Sequence, residues 1–487
     1  MTRLQDIGLL RQQAFIGGNW VAARSTKTME VLDPASGQHV GNVPACDEQD
    51  TRDAIDAAHQ ALPAWSNLNA HARAALLRKW HDLILQHADD LALLMTLEQG
   101  KPLSEAKGEI LYGASFVQWF AEEGIRSYGE TIPATQSRRR IISRKMPVGV
   151  CAAITPWNFP NAMITRKLAP ALAAGCTVVV KPSDLTPFSA LALGELAQRA
   201  GFPPGVLNIV TGMPEAIGGE LTRNPLVRKL TFTGSTKVGK LLLRQCADTV
   251  KRVSMELGGN APVILFDDAD LPQAVAGIMA SKFRNSGQTC VCANRIYVQE
   301  AIYERVTELL VQEVQKLRVG RGTEAGVSIG PLINQAAIHK VETHVRDALE
   351  KGAKIRTGGK ESSEGPRYYT PTVLTEASDD MLIASEETFG PVAALFSFQT
   401  EAEVIQRAND TPYGLAAYIF TQDVNRAFRV SEALESGMVG VNTGAISMAV
   451  APFGGVKESG LGREGAHHGI DEFLEIQTLH FEIADAA

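Results

Sequence analysis

A cysteine that follows a short flexible stretch is the first candidate for chemistry in this sequence. Cys290 comes directly after Gly287-Gln288-Thr289, and an accessible thiolate at such a position could attack a carbonyl carbon. Glu256, which precedes Leu257 and two glycines, offers a carboxylate that could remove a proton. One thiol and one acid do not define a reaction, so the elements that would position them must be considered next.

A glycine pair at the start of a predicted helix is a candidate phosphate-binding loop. Gly234 and Gly239 follow the predicted strand 229–233, where free backbone amides and the positive helix end would suit a pyrophosphate. Ser235 could add a hydroxyl donor, although a Ser or Thr there could equally be an ordinary helix cap. Leu241 occupies the place of the magnesium-binding Ser or Thr of a P-loop, so nucleotide hydrolysis is not expected.

A second candidate for nucleotide binding follows the predicted strand 176–180. Lys181, Ser183 and Asp184 stand at its carboxyl end, where a lysine and an acid could hold ribose hydroxyls. The string Gly460-x-Gly462-x-x-Gly465 also matches a dinucleotide pattern, but it follows a charged segment instead of a buried strand. We therefore do not interpret this string as a phosphate loop.

Alternating apolar runs and helical segments predict an α/β fold with parallel sheets covered on both faces. A helical region is predicted over 50–123, and a basic, β-branched stretch at 137–145 predicts an exposed hairpin. A second α/β unit begins after Cys290. The predicted strands of the first unit are 148–155, 176–180, 205–211, 227–233 and 261–266, and its predicted helices are 187–200, 214–222 and 236–248.

Composition excludes several classes of protein. The length of 487 residues suggests roughly three domains. A formal charge of −7 argues against nucleic acid as the main partner. Six scattered cysteines are typical of a reducing compartment, and the His467-His468 pair lacks metal-ligand spacing, so no metal is expected. The longest apolar run, 169–180, is too short to span a bilayer, and we expect a cytoplasmic protein without a membrane partner.

Seven motifs in fixed order then identify a resemblance. The chain resembles the NAD(P)-dependent aldehyde dehydrogenase superfamily over nearly its whole length and is most similar to its bacterial succinate-semialdehyde dehydrogenases. The motifs are Thr155-Pro156-Trp157-Asn158-Phe159-Pro160, Lys181-Pro182, Phe232-Thr233-Gly234-Ser235-Thr236, Glu256-Leu257-Gly258-Gly259, Gly287-Gln288-Thr289-Cys290, Glu386-Glu387-Thr388-Phe389-Gly390-Pro391 and Pro452-Phe453-Gly454-Gly455.

The resemblance implies an α/β, aldehyde dehydrogenase-like fold with three parts. Residues 1–128 and 148–257 would form a Rossmann-type NAD(P)-binding domain, and 258–470 an α/β catalytic domain. Residues 129–147 and 471–487 would form a small β oligomerisation arm, which implies a homodimer or homotetramer.

The resemblance also implies roles. Cys290 would attack the aldehyde to form a thiohemiacetal, Asn158 and the Cys290 amide would hold the oxyanion, and Glu256 would activate water to hydrolyse the later thioester. Glu464 matches a position implicated in relaying protons. The expected cofactor contacts are Thr155, Pro156, Trp157, Lys181, Ser183, Asp184, Gly234, Ser235, Gly239, Leu257, Glu387 and Phe389. Asp184 stands where NAD-preferring relatives carry a glutamate and some NADP-using relatives carry a small neutral residue. Because aspartate matches neither pattern, the expected cofactor is NAD or NADP.

Charge suggests the substrate. Arg284 lies six residues before Cys290 and Arg166 eight residues after Asn158, and two guanidiniums can bind a carboxylate. Ser447 matches a serine that contacts the substrate carboxylate in succinate-semialdehyde dehydrogenases. The alternative for Arg284 is a surface ion pair. Glutarate semialdehyde, one methylene longer, stays a competing substrate, because a methylene discriminates by only about 1–3 kcal/mol.

Other interpretations stay open at this point. A strained Cys290–Cys292 disulfide is one hypothesis for oxidative inactivation, and a small buried residue at 292 is the alternative. An aldehyde dehydrogenase of broader specificity and a non-catalytic aldehyde-dehydrogenase-like structural protein are further alternatives. A CoA-acylating enzyme is disfavoured because such relatives generally lack the equivalent of Glu256, and a cysteine hydrolase because no histidine lies near Cys290.

Overall fold

The structure is a computed structural model, and it describes residues 4–484. Its α-helices are α1 (Glu48–Asn67), α2 (Ala70–Gln86), α3 (Ala88–Gln99), α4 (Leu103–Glu123), α5 (Ala162–Ala174), α6 (Pro187–Ala200), α7 (Pro214–Arg223), α8 (Thr236–Ala247), α9 (Leu271–Lys282), α10 (Tyr303–Val314), α11 (Gln335–Glu350), α12 (Leu382–Ser385), α13 (Glu401–Asn409), α14 (Val424–Ala433) and α15 (His468–Asp471). The strands are β1 (Ala14–Ile16), β2 (Asn19–Val21), β3 (Thr28–Leu32), β4 (His39–Pro44), β5 (Glu130–Ile132), β6 (Arg139–Pro147), β7 (Val150–Ile154), β8 (Thr177–Lys181), β9 (Leu207–Ile209), β10 (Val227–Thr233), β11 (Arg252–Glu256), β12 (Ala261–Leu265), β13 (Ala293–Gln299), β14 (Lys354–Thr357), β15 (Thr372–Thr375), β16 (Val392–Phe398), β17 (Tyr413–Gly414), β18 (Ala416–Phe420), β19 (Met438–Val441), β20 (Val456–Lys457), β21 (Gly460–Leu461) and β22 (Leu474–Glu482).

The first large sheet has the order β2-β1-β9-β8-β7-β10-β11-β21. Its centre, β9 to β11, is parallel, as the continuous apolar runs predict, because helices bury both faces of β7 and β8. Its edges are antiparallel, which the sequence did not indicate. The edge strand β21 also lies within 258–470, the range predicted to form the catalytic domain, yet it completes this first sheet.

The second large sheet has the order β14-β15-β16-β13-β12-β18-β19 and is parallel except for β14. The chain passes from the first sheet to the second between Glu256, the last residue of β11, and Ala261, the first of β12. The prediction that strand 261–266 belongs to the first unit and that the second unit begins after Cys290 is therefore wrong, because β12 is a central strand of the second sheet. This four-residue passage contains Gly258 and Gly259. Glu256 therefore stands where the two sheets meet.

The smaller sheet β22-β6-β5 forms the predicted arm. The antiparallel register runs from Leu474↔Pro147 to Glu482↔Arg139, which confirms an exposed ribbon in the basic stretch at 137–145. The helical region predicted over 50–123 is also confirmed and consists of α1 to α4. In the second unit, α10 follows a 3-10 turn at Glu300–Ile302 and ends at Val314. The predicted domain boundaries stay a prediction.

The helices α2 to α6 share a core with the first sheet, and α4 packs along α5. This packing matters for function because α4 and α5 both contribute side chains to the site described below. Within residues 4–484, no helix is both long and apolar enough to cross a membrane.

Candidate active site

A strained turn precedes the candidate nucleophile. Asn285, Ser286 and Gly287 all have positive φ, at 50°, 56° and 75°. Left-handed backbone costs about 1–3 kcal/mol for a non-glycine residue and persists only where the surroundings enforce it. Here a carboxylate oxygen of Glu105 accepts a hydrogen bond from the Asn285 backbone amide at 2.8 Å, and the Ser286 hydroxyl donates to the Gly330 carbonyl at 2.9 Å.

Glycine is required at the last position of this turn. A Cβ at residue 287 would overlap the carbonyl oxygen of Gly390. The Gln288 side chain, fully buried, accepts from the Ile333 amide at 3.0 Å and donates to the Asn285 carbonyl at 3.1 Å. The turn therefore fixes the backbone that presents Cys290.

Cys290 is half-buried and unpaired. Burial raises the pKa of its thiol to about 12, with Glu387 and Glu256 adding to the rise and Arg166 opposing it. The thiol is therefore protonated at neutral pH in this state, so a base must take its proton before it can act as a nucleophile.

Asn158 is held by a buried hydrogen-bond network. Its Nδ2 donates to the Gln288 carbonyl at 3.1 Å, two residues before Cys290. Its own carbonyl accepts from Lys101 Nζ at 2.7 Å and from Asn285 Nδ2 at 3.0 Å. Lys101 is anchored in turn by Glu109 at 2.5 Å. The side-chain amide of Asn158 makes no other hydrogen bond among the described residues, and its oxyanion role stays a prediction.

Glu256 ends β11 and is buried. Burial raises the pKa of its carboxyl group well above the ordinary value, and the nearby Glu464 adds to the rise. Its Oε2 has no hydrogen-bond partner in the described part of the chain. A buried carboxyl group with a raised pKa and a free oxygen suits a general base.

Glu464 lies between two buried cations. Arg166 Nε contacts its Oε2 at 2.5 Å, and Lys167 Nζ contacts Oε1. Burial alone would raise the pKa of Glu464, but Arg166 and Lys167 overcome it and hold the pKa below its ordinary value. An ionised carboxylate held this way accepts a proton reluctantly, and the relay role stays a prediction.

A cleft of about 370 Å³ opens beside Cys290. Nine of the residues assigned to the site from the sequence line it. These are Pro156, Trp157, Asn158, Gly234, Ser235, Leu257, Cys290, Glu387 and Phe389. Thr155, Lys181, Ser183, Asp184 and Gly239 are not among its lining residues.

The predicted phosphate loop forms the start of α8. Ser235 is the N-cap, and its hydroxyl accepts from the Val238 amide at 3.4 Å, so the capping alternative is correct and coexists with a place in the cleft. Gly239 lies against Leu257, where a Cβ would overlap the leucine side chain. This close approach brings the helix end toward the cleft.

The candidate ribose contacts lie at the end of β8. Lys181 is buried, and its Nζ is 3.7 Å from Asp184 Oδ1. Ser183 is also buried, and its hydroxyl accepts from the Leu185 amide at 3.2 Å. The Lys181 ammonium group and the Ser183 hydroxyl therefore lie near the edge of the sheet, where they could contact either NAD or NADP.

Two aromatic rings and one acid shape the rest of the cleft. Trp157 and Phe389 meet edge to face with centroids 5.6 Å apart. Glu387 accepts from the Gly259 amide at 3.4 Å. Burial raises the pKa of Glu387 to about 7. Glu387 makes no ion pair among the described residues.

A second, smaller cavity of about 20 Å³ shares Cys290 with the cleft. It brings together Arg166, Arg284 and Ser447, three residues that are far apart in the chain. They reach it from α5, from the turn after α9 and from the loop after β19. The cavity is also lined by Tyr112, Phe159, Met163, Thr289, Val291 and Phe453.

The two arginines are set against aromatic rings. The Arg284 guanidinium lies 4.8 Å from the Phe159 ring centre, and within residues 4–484 no ion pair of Arg284 is found. The Arg166 guanidinium lies 4.0 Å from the Phe453 ring, and its Nη2 has no hydrogen-bond partner in the described chain. Both therefore have donors to offer a ligand.

Cys292 is buried and unpaired, and its thiol donates to the Lys282 carbonyl at 3.4 Å. Burial raises the pKa of this thiol. The arrangement corresponds to the small buried residue of the alternative interpretation, and the disulfide hypothesis stays a prediction.

Several residues of the site were missed from the sequence. Tyr112, Lys101, Glu105 and Glu109 belong to a predicted helical region in which nothing marked them as functional. The signal available in the sequence was the charge of Lys101 and Glu109 within a predicted helical pattern. Charged residues are rarely buried without a partner, so two such charges buried together would pair. Lys340, which lines the cleft from α11, carried no signal.

Comparison with known proteins identifies the family of the chain. The aldehyde dehydrogenase family model matches residues 20–479. The chain is 60% identical to the NADP(+)-dependent succinate-semialdehyde dehydrogenase of Escherichia coli K12, covering 98% of this chain and 99% of that protein. It is 57% identical to a glutarate-semialdehyde dehydrogenase of Pseudomonas aeruginosa, with coverage of 98% and 99%. The crystal structure of a succinate-semialdehyde dehydrogenase from Burkholderia pseudomallei is similar, with a TM-score of 0.98, 58% identity, and coverage of 99% of this chain and 100% of that chain. The chain belongs to the aldehyde dehydrogenase family.

Proposed function

We propose that this protein oxidises succinate semialdehyde to succinate with NAD or NADP. One observation carries the proposal: the small cavity that contains Arg166, Arg284 and Ser447 shares Cys290 with the larger cleft. A substrate with an aldehyde at one end and a carboxylate at the other would place its reactive carbon at the thiol. The carboxylate would then meet two guanidiniums, which bind carboxylates with charge-assisted hydrogen bonds.

The larger cleft fits a dinucleotide. Gly234 and Ser235 bring the N-terminal end of α8 to its wall, where backbone amides and the helix dipole favour a pyrophosphate. Thr233 lines the cleft with a buried hydroxyl that lacks a partner among the described residues. Lys181 and Glu387 would hold the two riboses. When bound, NAD or NADP supplies the acceptor for the hydride that leaves the aldehyde carbon.

The residues of the chain divide the remaining work. Glu256 takes the thiol proton, and Cys290 Sγ forms a bond to the aldehyde carbon. The Asn158 amide and the Cys290 backbone N–H donate to the resulting oxyanion, a contribution worth about 3–4 kcal/mol for each donor. After oxidation, the acyl group is joined to Cys290 as a thioester. Glu256 first releases the thiol proton to solvent and then takes a proton from water, whose oxygen attacks the acyl carbon, and the Cys290 thiolate leaves.

The size of the carboxylate cavity favours the shorter semialdehyde. At about 20 Å³ it has room for little more than a small polar group beyond the space at Cys290. Glutarate semialdehyde adds one methylene, and such a difference is worth about 1–3 kcal/mol. We therefore expect kcat/KM for the C4 semialdehyde to exceed that for the C5 semialdehyde.

The decisive experiment compares a charged and an uncharged aldehyde of equal chain length. In Arg284→Ala, KM for succinate semialdehyde should rise by at least tenfold, because a hydrogen bond to a charged group is worth about 1.5–3 kcal/mol. KM for butanal should stay within about twofold. Arg305→Ala removes an arginine of the exposed face of α10 and is the matched control, with no expected change on either substrate. Equal losses on both aldehydes in Arg284→Ala would overturn the proposal.

We further infer that the protein assembles as a homodimer or homotetramer in the cytoplasm. Apolar side chains stand exposed on both faces of the arm, with Ile476 at 72% exposure on one face and Ile142 and Phe481 on the other. A subunit contact would cover them. The six cysteines are all unpaired, which fits a reducing compartment. Light scattering should give a dimer or tetramer for the native chain and a smaller species for Ile476→Asp, whereas a monomeric native chain would contradict the inference.

A further inference from the structure

A buried tyrosine hydroxyl without a well-formed hydrogen bond faces the carboxylate cavity. Tyr112, on α4, lines this cavity together with Arg166, Arg284 and Ser447. Its hydroxyl oxygen is buried and makes no hydrogen bond of normal geometry among residues 4–484, although the Ser447 hydroxyl, which also lines the cavity, is close enough to interact with it. Leaving a buried polar group unsatisfied costs about 1–3 kcal/mol, so such groups generally have a role that supplies their partner.

The ring of Tyr112 is fixed. It meets Phe116 edge to face with centroids 5.0 Å apart, and Phe116 also lies 5.3 Å from the Arg166 guanidinium. The same helix therefore positions both the phenol and one wall of the arginine site. The hydroxyl cannot turn out to water without loss of this packing.

We propose that the Tyr112 hydroxyl donates a hydrogen bond to the distal carboxylate of the bound semialdehyde. The proposal rests on the proposed function and adds one donor to it. A carboxylate has about four acceptor sites, and the two guanidiniums and the Ser447 hydroxyl leave room for a further donor. A donor that finds its partner only when a carboxylate is present also rejects uncharged aldehydes, because with them the hydroxyl stays buried and unsatisfied.

The phenol has the right protonation state for this role. Burial raises its pKa above the ordinary value, while Arg166, Arg284 and the Ser447 hydroxyl lower it and only partly offset the rise. The hydroxyl therefore keeps its proton at neutral pH and can donate it to an anion.

The test is Tyr112→Phe, which removes one oxygen. KM for succinate semialdehyde should rise about tenfold, and KM for butanal should stay within about twofold. The dissociation constant of succinate, measured by calorimetry on the protein without cofactor, should rise by a similar factor. The melting temperature of the free protein should not fall, since the hydroxyl makes no hydrogen bond of normal geometry there.

Tyr303→Phe is the matched control, because the Tyr303 hydroxyl donates to the Leu395 carbonyl at 3.0 Å and accepts from the Glu376 amide at 2.9 Å. It should lower the melting temperature and leave both KM values unchanged. If Tyr112→Phe lowers the melting temperature with succinate affinity unchanged, the hydroxyl is structural and the proposal fails. If Tyr112→Phe is silent while Arg284→Ala still separates the two aldehydes, this proposal alone fails. If neither variant separates them, the carboxylate site itself is wrong.

Discussion

The buried pair Lys101–Glu109 is predicted to support catalysis without touching the substrate. Lys101 Nζ donates to Glu109 Oε2 at 2.5 Å and to the Asn158 carbonyl at 2.7 Å. Glu109 Oε1 accepts from the backbone amides of Asn161 and Ala162 at 3.0 and 3.1 Å. The pair therefore ties α4 to the segment that contains Asn158 and begins α5.

Lys101→Met removes the cation and keeps most of the side-chain volume. It leaves the Glu109 charge buried without its partner, which costs about 3–5 kcal/mol of the free energy of unfolding. The Asn158 carbonyl also loses a donor, so the oxyanion-binding amide shifts. A misplacement of about 1 Å costs on the order of 100-fold in rate, and we expect kcat to fall by about that factor while KM changes far less.

The double variant Lys101→Met/Glu109→Gln separates the two effects. It should recover much of the lost stability, because no uncompensated charge remains, but kcat should stay low because the Asn158 carbonyl still lacks its donor. Urea unfolding and initial rates at 340 nm give the two quantities. Lys107→Met breaks an exposed pair with Asp89 at 2.6 Å and should change neither by more than about 0.5 kcal/mol. A folded Lys101→Met variant with kcat within twofold of the native value would refute the positioning role.

Two further predictions concern the thiol and the strand beside Glu256. Burial raises the pKa of the Cys290 thiol to about 12, so the reactive thiolate fraction grows with pH throughout the range 7 to 9. Alkylation of Cys290 by iodoacetamide in the cofactor-free protein should therefore accelerate about tenfold per pH unit over that range. A plateau near pH 8 would contradict the burial argument. Gly460→Ala should lower the free energy of unfolding by more than about 3 kcal/mol, because residue 460 has a φ of +139° and a Cβ there would overlap the Met255 carbonyl oxygen. Unchanged urea unfolding would show that β21 does not pack as described.

Local pattern was enough to predict the order of elements in the parallel sheets. The apolar runs at 227–233 and 176–180 are strands β10 and β8, and α6 has the predicted bounds, since its sequence ends at Ala200 before a left-handed Gly201. The antiparallel edges could not be predicted, because β21 has only two residues and pairs with a strand some two hundred residues away. Short strands of that kind leave no periodic signal.

The residues of the site also fall into a group that the sequence predicts and a group that it does not. Cys290, Glu256 and Asn158 belong to motifs; Cys290 and Asn158 line one cleft, and Glu256, at the end of β11, is near enough to raise the pKa of the Cys290 thiol. Tyr112 and Lys101 belong to no motif, and only the packing of α4 on α5 brings them to the cavity and to Asn158. The sequence assigned Glu464 a role but did not show which residues surround it. Its two cation partners, Arg166 and Lys167, are seen only once α5 and the C-terminal segment are placed together.

The most direct test of the proposed chemistry is to trap the acyl group on the protein. Glu256→Gln removes the base that takes the thiol proton and later activates water, so mixing with succinate semialdehyde and NADP should release up to one equivalent of NADPH per site, more slowly than the native protein, and then stall. Mass spectrometry after acid quench should find about 100 Da added to the peptide that contains Cys290, as expected for a covalent thioester of succinate. Rapid steady turnover without any adduct, or an adduct on another residue, would contradict the assignment of Cys290 and Glu256.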